Sequence, residues 1–183
     1  MKVEPIRDLA VIQRIKRSLS GKPRELCLFT LGINTAFRAC DLLSIKIGDV
    51  RYLQLGDSME IKERKTQKHR RVTLNASCVD SLQKLLRLKV YQEDSEYLFS
   101  GQRGVLTVCT LNRMVKKWCA NAGLKGNYGT HSLRKTWGYH QRVTFNSDIP
   151  CLMLAYNHAS QRQTLDYLGI QSEEIRAIYM NEI

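Results

Sequence analysis

Three prolines and 11 glycines among 183 residues are too few for a collagen-like or low-complexity chain, and no Gly/Ser/Pro-rich stretch divides the sequence. No apolar run approaches the ~20 residues that a membrane-spanning helix needs, and no signal-peptide pattern is read at the start. Paired cysteine motifs are missing. Cys27, Cys40, Cys78, Cys109, Cys119 and Cys151 are scattered, with no CxxC and no histidine at ligand spacing, which argues against a disulfide framework or a zinc site. Most lie among apolar neighbours, as in Leu26-Cys27-Leu28, and read as buried reduced thiols of a soluble, cytoplasmic protein. Acidic residues are scarce as well: 17 Asp and Glu against 29 Lys and Arg leave a formal charge of +12. That excess is more than solubility requires and points to an anionic partner.

What is present suggests one packed domain over residues 1–183, with 43% hydrophobic residues and no internal repeat. The positive charge gathers in the first half and is densest over Lys62–Arg71, KERKTQKHRR, where Glu63 is the single acid. Apolar spacing predicts helices over Pro5–Leu19, Pro23–Ile33 and Arg38–Ser44. Short β-like segments follow at 45–47, 58–61 and 71–74, so that the basic run falls at or near a hairpin tip. A helix capped by Asn75 runs to about Leu88. Five more cover Thr107–Ala122, Ser132–Val143, Ile149–Ala155, Gln161–Leu168 and Glu173–Met180, with Gly123, Gly129, Pro150 and Gly169 at ends and turns. The expected fold class is α+β, mainly α-helical, with a small antiparallel β-sheet on one edge.

Three polar clusters interrupt the apolar helices. The first is Thr35-Ala36-Phe37-Arg38-Ala39-Cys40-Asp41; alone, Arg38 and Asp41 at i, i+3 read as a surface ion pair. The second is Thr130-His131-Ser132-Leu133-Arg134, which puts His131 and Arg134 on one helical face. The third is Asn157-His158-Ala159-Ser160, followed by Gln161 to Tyr167. Each alone is bland. In sequence they form an ordered series: an arginine, a hairpin lysine, H-x-x-R, and H-x8-Y.

That series resembles the catalytic domain of the tyrosine recombinases, or phage integrase family, from about Ile6 to Tyr179. FRACDLLSIKIGDV resembles the family's first arginine segment, KTQKHRRVTL its lysine hairpin, HSLRKTWGYH its histidine-arginine box and NHASQRQTLDY its nucleophile box. The resemblance implies Arg38 and Arg134 as the arginine pair on a scissile phosphate and Tyr167 as the nucleophile. Lys65, His131 and His158 complete the set. Asp41 stands where the family carries an acid that braces the site. Two positions depart from the pattern: Ala36 and Asn157 both stand where glycine is usual. Asparagine tolerates left-handed backbone better than most residues.

These residue types suit phosphodiester cleavage on chemical grounds. Guanidinium groups are permanently charged and present a planar fork of donors to the non-bridging oxygens of a five-coordinate phosphorus. A phenol, with an ordinary pKa near 10, needs a base such as His131 or a cationic field to become a nucleophile. A lysine on a mobile hairpin can protonate the departing 5′ oxygen, which makes Lys65 the general acid, while His158 donates to a non-bridging oxygen. A 3′-phosphotyrosyl link retains the energy of the broken bond, so rejoining needs no cofactor, no metal and no ATP. Lys62, Lys68, Arg70 and Arg71 are expected to contact the DNA backbone.

The expected partner is double-stranded DNA. The resemblance further implies a homo-oligomer, a tetramer when synapsed on DNA, held through the C-terminal segment 172–183, whose Ile175, Ile178 and Tyr179 form an apolar stripe. Family members often carry an N-terminal core-binding domain that clamps the far side of the DNA. None is read here, which fits either a naturally short recombinase or an excised domain and predicts weak, salt-sensitive binding by a bacterial or phage-encoded protein. Two alternatives to site-specific strand exchange stay open: type IB topoisomerase-like DNA relaxation, and a non-catalytic DNA-binding regulator.

Overall fold

A computed structural model describes residues 3–89, 91–101, 104–168 and 172–182. The chain divides into two compact units, Met1–Trp137 and Gly138–Ile183.

In the first unit, helix α1 covers Leu9–Ser18 and starts at Asp8, whose side chain accepts from the Ala10 N–H at 2.7 Å. The expected start at Pro5 fails because the preceding backbone is used elsewhere. The Glu4 N–H donates to the Asn127 carbonyl at 2.9 Å, and the Ile6 N–H donates to the Thr136 hydroxyl at 2.8 Å. Helix α2, Pro23–Asn34, has its entire stretch from Cys27 to Ile33 buried, so it serves as the central post of the core rather than an amphipathic surface helix. The short helix α3 spans Ala39–Leu42.

Strands β1, Ser58–Lys62, and β2, His69–Thr73, pair antiparallel with Met59 opposite Val72 and Lys62 opposite His69. The basic run therefore does form a hairpin. Residues 45–47 do not join that sheet as expected. Ile45 and Ile47 are both fully buried, and the segment makes a single antiparallel bridge, Lys46 to Tyr97, before the chain turns away.

Helix α4, Ala76–Leu86, is capped by Asn75, whose side-chain oxygen accepts from the Cys78 N–H at 3.0 Å. A two-residue hairpin unassigned from the sequence follows, β3 at Ser100–Gly101 and β4 at Gly104–Val105. Helix α5, Val108–Asn121, is capped by Thr107. Its Trp118 packs edge-on against Phe29 with ring centroids 5.8 Å apart and donates to Glu25 at 2.8 Å, which satisfies the indole N–H. Helix α6 spans Thr130–Tyr139. The hydrophobic core runs from Ile6 through Phe29, Phe99 and Val115 to Leu133.

In the second unit the α-helical hydrogen bonding gives way to a π-helical turn at His140–Thr144, where a helix through Val143 was expected. Helix α7, Ile149–Tyr156, begins at Asp148, which accepts from the Cys151 N–H at 2.7 Å. Helices α8, Gln161–Leu168, and α9, Ser172–Tyr179, follow. Gly169, read as a helix end, lies outside the described residues. Gly138 is required by close approach: a Cβ there would lie 1.9 Å from the Tyr156 hydroxyl and 2.5 Å from a Leu168 methyl.

The architecture is the expected one, mainly helical with a small antiparallel sheet. The cysteine reading needs correction. Cys27, Cys78 and Cys119 are buried, and burial pushes their thiols up to about 12, 11 and 12. Cys109 and Cys151 are exposed, because each falls in the first turn of a helix rather than on its apolar stripe. Among the described residues no helix is long and apolar enough to cross a membrane.

Candidate active site

The first unit organises its polar residues around the C-terminal end of α2. A helix end leaves carbonyls without intrahelical partners. Here the chain exits through Ala36 in the left-handed region, φ 52°. The carbonyls of Thr35 and Ala36 both accept from the Arg70 guanidinium, at 2.7 and 2.8 Å, and the Ala36 carbonyl also accepts from Arg134. Two cations thus satisfy the negative end of the helix dipole. Arg70 lies 5.3 Å from the centre of the Phe37 ring, a cation–π contact in the same buried corner.

Arg38 immediately precedes α3 and is only 16% exposed in its side chain. Its guanidinium pairs with Glu63 at 2.6 Å and stands 3.9 Å from Asp41. Both carboxylates are fully buried. Asp41 also accepts from the backbone N–H of Arg64 at 2.9 Å, tying the hairpin tip to the arginine segment. Burial alone would push the Glu63 carboxyl up, but the Thr66 hydroxyl and the guanidiniums of Arg38 and Arg70 outweigh it and hold the carboxyl below its ordinary value. Lys65 sits in the turn beyond β1 with its side chain exposed.

His131 and Arg134 lie on α6, whose start is fixed by Asn112: its side-chain oxygen accepts from the Thr130 N–H at 3.0 Å. Glycine leaves room for it, since a Cβ at Gly129 would lie 2.4 Å from that oxygen and push the Asn112 amide off the Thr130 N–H. Arg134 is buried while His131 is exposed on one side. Partial burial, then the charges of Arg134, Arg38, Lys65 and Lys135, hold the His131 imidazole below its ordinary value. Residues from two of the polar clusters and from the basic hairpin therefore share one electrostatic neighbourhood.

In the second unit α7 ends at Asn157, which adopts φ 59° and ψ 40°. The N–H groups of Asn157 and His158 return to the carbonyls of Leu154 and Met153, at 2.9 and 3.0 Å, a Schellman closure. Asparagine thus supports the turn at the position where glycine was the pattern. Ser160 accepts from the Gln163 N–H at 3.2 Å to start α8, and the Gln163 side chain reaches back to the Ala159 N–H at 3.1 Å. The His158 Nδ1 pairs with the buried Thr164 hydroxyl at 3.0 Å. Tyr156 is fully buried and stacks on His158, with centroids 4.9 Å apart and planes 9° apart. Tyr167 meets both rings edge-on, at 5.3 Å from Tyr156 and 5.6 Å from His158.

Residues 9–174 match the sequence profile of the Phage integrase family. The chain belongs to the phage integrase family of tyrosine recombinases. It is 36% identical over 187 residues to a probable integrase/recombinase, YoeC, of Bacillus subtilis (strain 168), covering 97% of this chain and 95% of that protein. It is 26% identical to the tyrosine recombinase XerC of Caldanaerobacter subterraneus, covering 90% of this chain but 47% of that protein, so it spans about half the length of that relative. Among solved structures, XerA recombinase superposes with a TM-score of 0.81 at 23% identity, covering all of this chain and 66% of the other. XerH bound to a palindromic difH substrate superposes with a TM-score of 0.77 at 24% identity, covering 92% and 50%. At these identities the structures establish the shared integrase fold.

Within that family fold, the structure distributes the expected residues unevenly. Arg38, Lys65, His131 and Arg134 fall in the first unit, and His158 and Tyr167 in the second. Lys62, Lys68 and Arg71 are exposed on the hairpin. Arg70 is not: it is 7% exposed and committed to the α2 carbonyls and to Glu63 at 3.7 Å, so it braces the first arginine segment instead of reaching outward. Strand alternation explains the difference, since Arg71 points to solvent and its neighbour must point inward. Sequence reasoning noted Glu63 only as the single acid of the basic run and gave it no role. Its signal was there: a lone acid in the most basic stretch of the chain.

Proposed function

We propose that this chain is a site-specific DNA recombinase that cuts and rejoins double-stranded DNA strands through a 3′-phosphotyrosyl intermediate on Tyr167. The Tyr167 oxygen attacks phosphorus as the bond to the 5′ oxygen breaks. The phenolic proton passes to His131, and Lys65 donates a proton to the departing 5′ oxygen. Arg38 and Arg134 bind the non-bridging oxygens while charge accumulates on them. With the Thr164 hydroxyl taken as donor to its Nδ1, His158 carries Nε2–H as a further donor. Reversal of the same steps by a different 5′ hydroxyl rejoins the strands.

The observation that supports this reading most strongly is that Arg134, Arg38 and the hairpin bearing Lys65 are tied to one corner through the Ala36 carbonyl, Glu63 and Asp41, where partial burial and then these cations hold His131 below its ordinary value. A base surrounded by permanent positive charge stays neutral and able to accept a proton, which suits a site built for a phosphate.

Exposed Ile178 and Tyr179 on α9, at 64% and 84%, support a second element of the proposal. This helix docks on a neighbouring subunit, and the synapsed form on DNA is a tetramer. The chain acts in the cytoplasm, where bacterial or phage DNA is accessible, and without a metal or a cofactor.

The decisive experiment traps the adduct. Wild-type chain is incubated with a random-sequence pool of nicked suicide duplexes, and covalently held DNA is recovered and sequenced. A recurring site held by Tyr167, and lost in Tyr167→Phe, is the expected result. Plasmid relaxation without a recurring site would instead identify a topoisomerase, and binding without any adduct a regulator.

A further inference from the structure

We infer that Glu63 is a positioning residue that sets Arg38 and the turn bearing Lys65 in one register, so that phosphate stabilisation and leaving-group protonation are assembled together. The inference rests on the phosphotyrosyl reading above and assigns a role to a residue outside the six-residue set.

Glu63 is fully buried and is the single acid beside the six Lys and Arg residues of Lys62–Arg71. A buried carboxylate is costly unless its oxygens are engaged, and every engagement here leads to the reaction machinery. Oε2 pairs with Arg38 at 2.6 Å and accepts from the Thr66 hydroxyl at 2.6 Å. Oε1 faces Arg70 at 3.7 Å, the same guanidinium that holds the Ala36 carbonyl. The backbone of Glu63 closes the hairpin tip: its N–H donates to the Lys68 carbonyl at 2.9 Å, and its carbonyl accepts from the Gln67 N–H at 2.8 Å. Lys65 lies between Arg64, anchored to Asp41 through its N–H, and Thr66, anchored to Glu63 through its hydroxyl. One side chain therefore holds the first arginine, and the same side chain holds the residue next to the hairpin lysine. A carboxylate present only to balance charge would have no reason to fix Thr66.

Sulfur chemistry separates this role from simple stabilisation. When the 5′ bridging oxygen is replaced by sulfur, the leaving thiolate needs no proton, so losses that act through Lys65 disappear while losses that act through Arg38 remain. Cleavage of the recovered site is measured on both substrates for wild type, Lys65→Ala, Arg38→Ala, Glu63→Gln and Thr66→Val. Thermal melts confirm that each variant is folded.

On the oxygen substrate we expect Glu63→Gln to lose about 100-fold and Thr66→Val about tenfold, the scale of a misplaced catalytic group. On the sulfur substrate Thr66→Val and Lys65→Ala return to the wild-type rate. Glu63→Gln regains about tenfold there and keeps the part that it shares with Arg38→Ala. Thr66→Val leaves the Glu63 carboxylate in place and decides the question even if Glu63→Gln does not fold. Equal losses on both substrates, or no loss on either, overturn the inference alone. A wild type that forms no Tyr167 adduct overturns the phosphotyrosyl reading and this inference with it.

Discussion

Arg134 donates a hydrogen bond to the carbonyl of Ala36, the residue through which helix α2 exits in the left-handed region at φ 52°. A strained backbone turn and an arginine proposed to bind the phosphate are thus one structural feature. The turn aims a carbonyl at Arg134 and Arg70, and the two guanidiniums in return hold the turn.

An L-residue with a Cβ resists this conformation by roughly 1–2 kcal/mol, whereas glycine adopts it freely at the cost of greater freedom in the unfolded chain. Ala36→Gly is therefore expected to stabilise the protein by about 0.5–1 kcal/mol, which raises the melting temperature by about 1–4 °C at this chain length. Ala36→Val, β-branched and buried, should melt well below the wild type. Thermal unfolding of both variants checks the pair, and a lower melting point for the glycine variant would contradict the strain.

Neighbours in β2 are expected to behave in opposite ways. Arg70→Ala takes the donor from the Thr35 carbonyl and one of two cations from both the Ala36 carbonyl, which keeps Arg134, and Glu63, which keeps Arg38, and should cost about 1–3 kcal/mol of stability. Lys62→Ala, Lys68→Ala and Arg71→Ala should leave the melting point almost unchanged. Each should weaken DNA binding and lower the slope of log affinity against log salt by about 0.9 for every phosphate that it no longer neutralises. Binding titrations across a salt series separate the two classes. Wild-type binding that barely changes with salt would contradict the assignment.

Most of the helices and the basic hairpin were legible because their signals are local: apolar spacing, Asn75 as a cap, and charge collected at a turn. The misplaced features depend on contacts between distant segments. Helix α1 starts at Asp8 instead of Pro5 because Thr136, 130 residues away, takes the Ile6 N–H. Arg70 read as an outward cation because its partners, the carbonyls of residues 35 and 36, lie on another element. The expected site residues carried distinctive chemistry in recognisable order. Glu63 carries the same type of side chain as any solvated acid, and only burial distinguishes it.

The pH response follows from His131. Partial burial, then Arg134, Arg38, Lys65 and Lys135, lower its folded-state pKa below the value near 6.5 of the unfolded chain. Between the two values the unfolded chain binds more protons, so the contribution to stability rises with pH through that window and is lost as pH falls through it. The neutral, proton-accepting form accordingly persists below pH 6.5. NMR titration of the His131 ring should give a midpoint under 6.5. Arg38→Ala should move that midpoint upward more than Lys65→Ala does, and a wild-type midpoint at or above 6.5 would contradict the cationic neighbourhood.

The second unit rests on Gly138, over which the Tyr156 hydroxyl and a Leu168 methyl close. A methyl at position 138 would meet both at distances real side chains do not adopt, so Gly138→Ala must displace α7 or α8. Overpacking of this kind costs about 1–3 kcal/mol. Tyr156 itself is fully buried against His158 and Tyr167, so it acts as the platform on which their rings pack. Tyr156→Phe keeps the stacked ring and should still form the DNA adduct. Gly138→Ala, with Tyr167 intact, should melt earlier and form the adduct more slowly, because the helix that carries the proposed nucleophile has been moved. A combined Gly138→Ala, Tyr156→Leu variant, which removes the hydroxyl that collides with the new methyl, should recover part of the lost stability. Equal melting points for the single and double variants would show that the collision lies elsewhere.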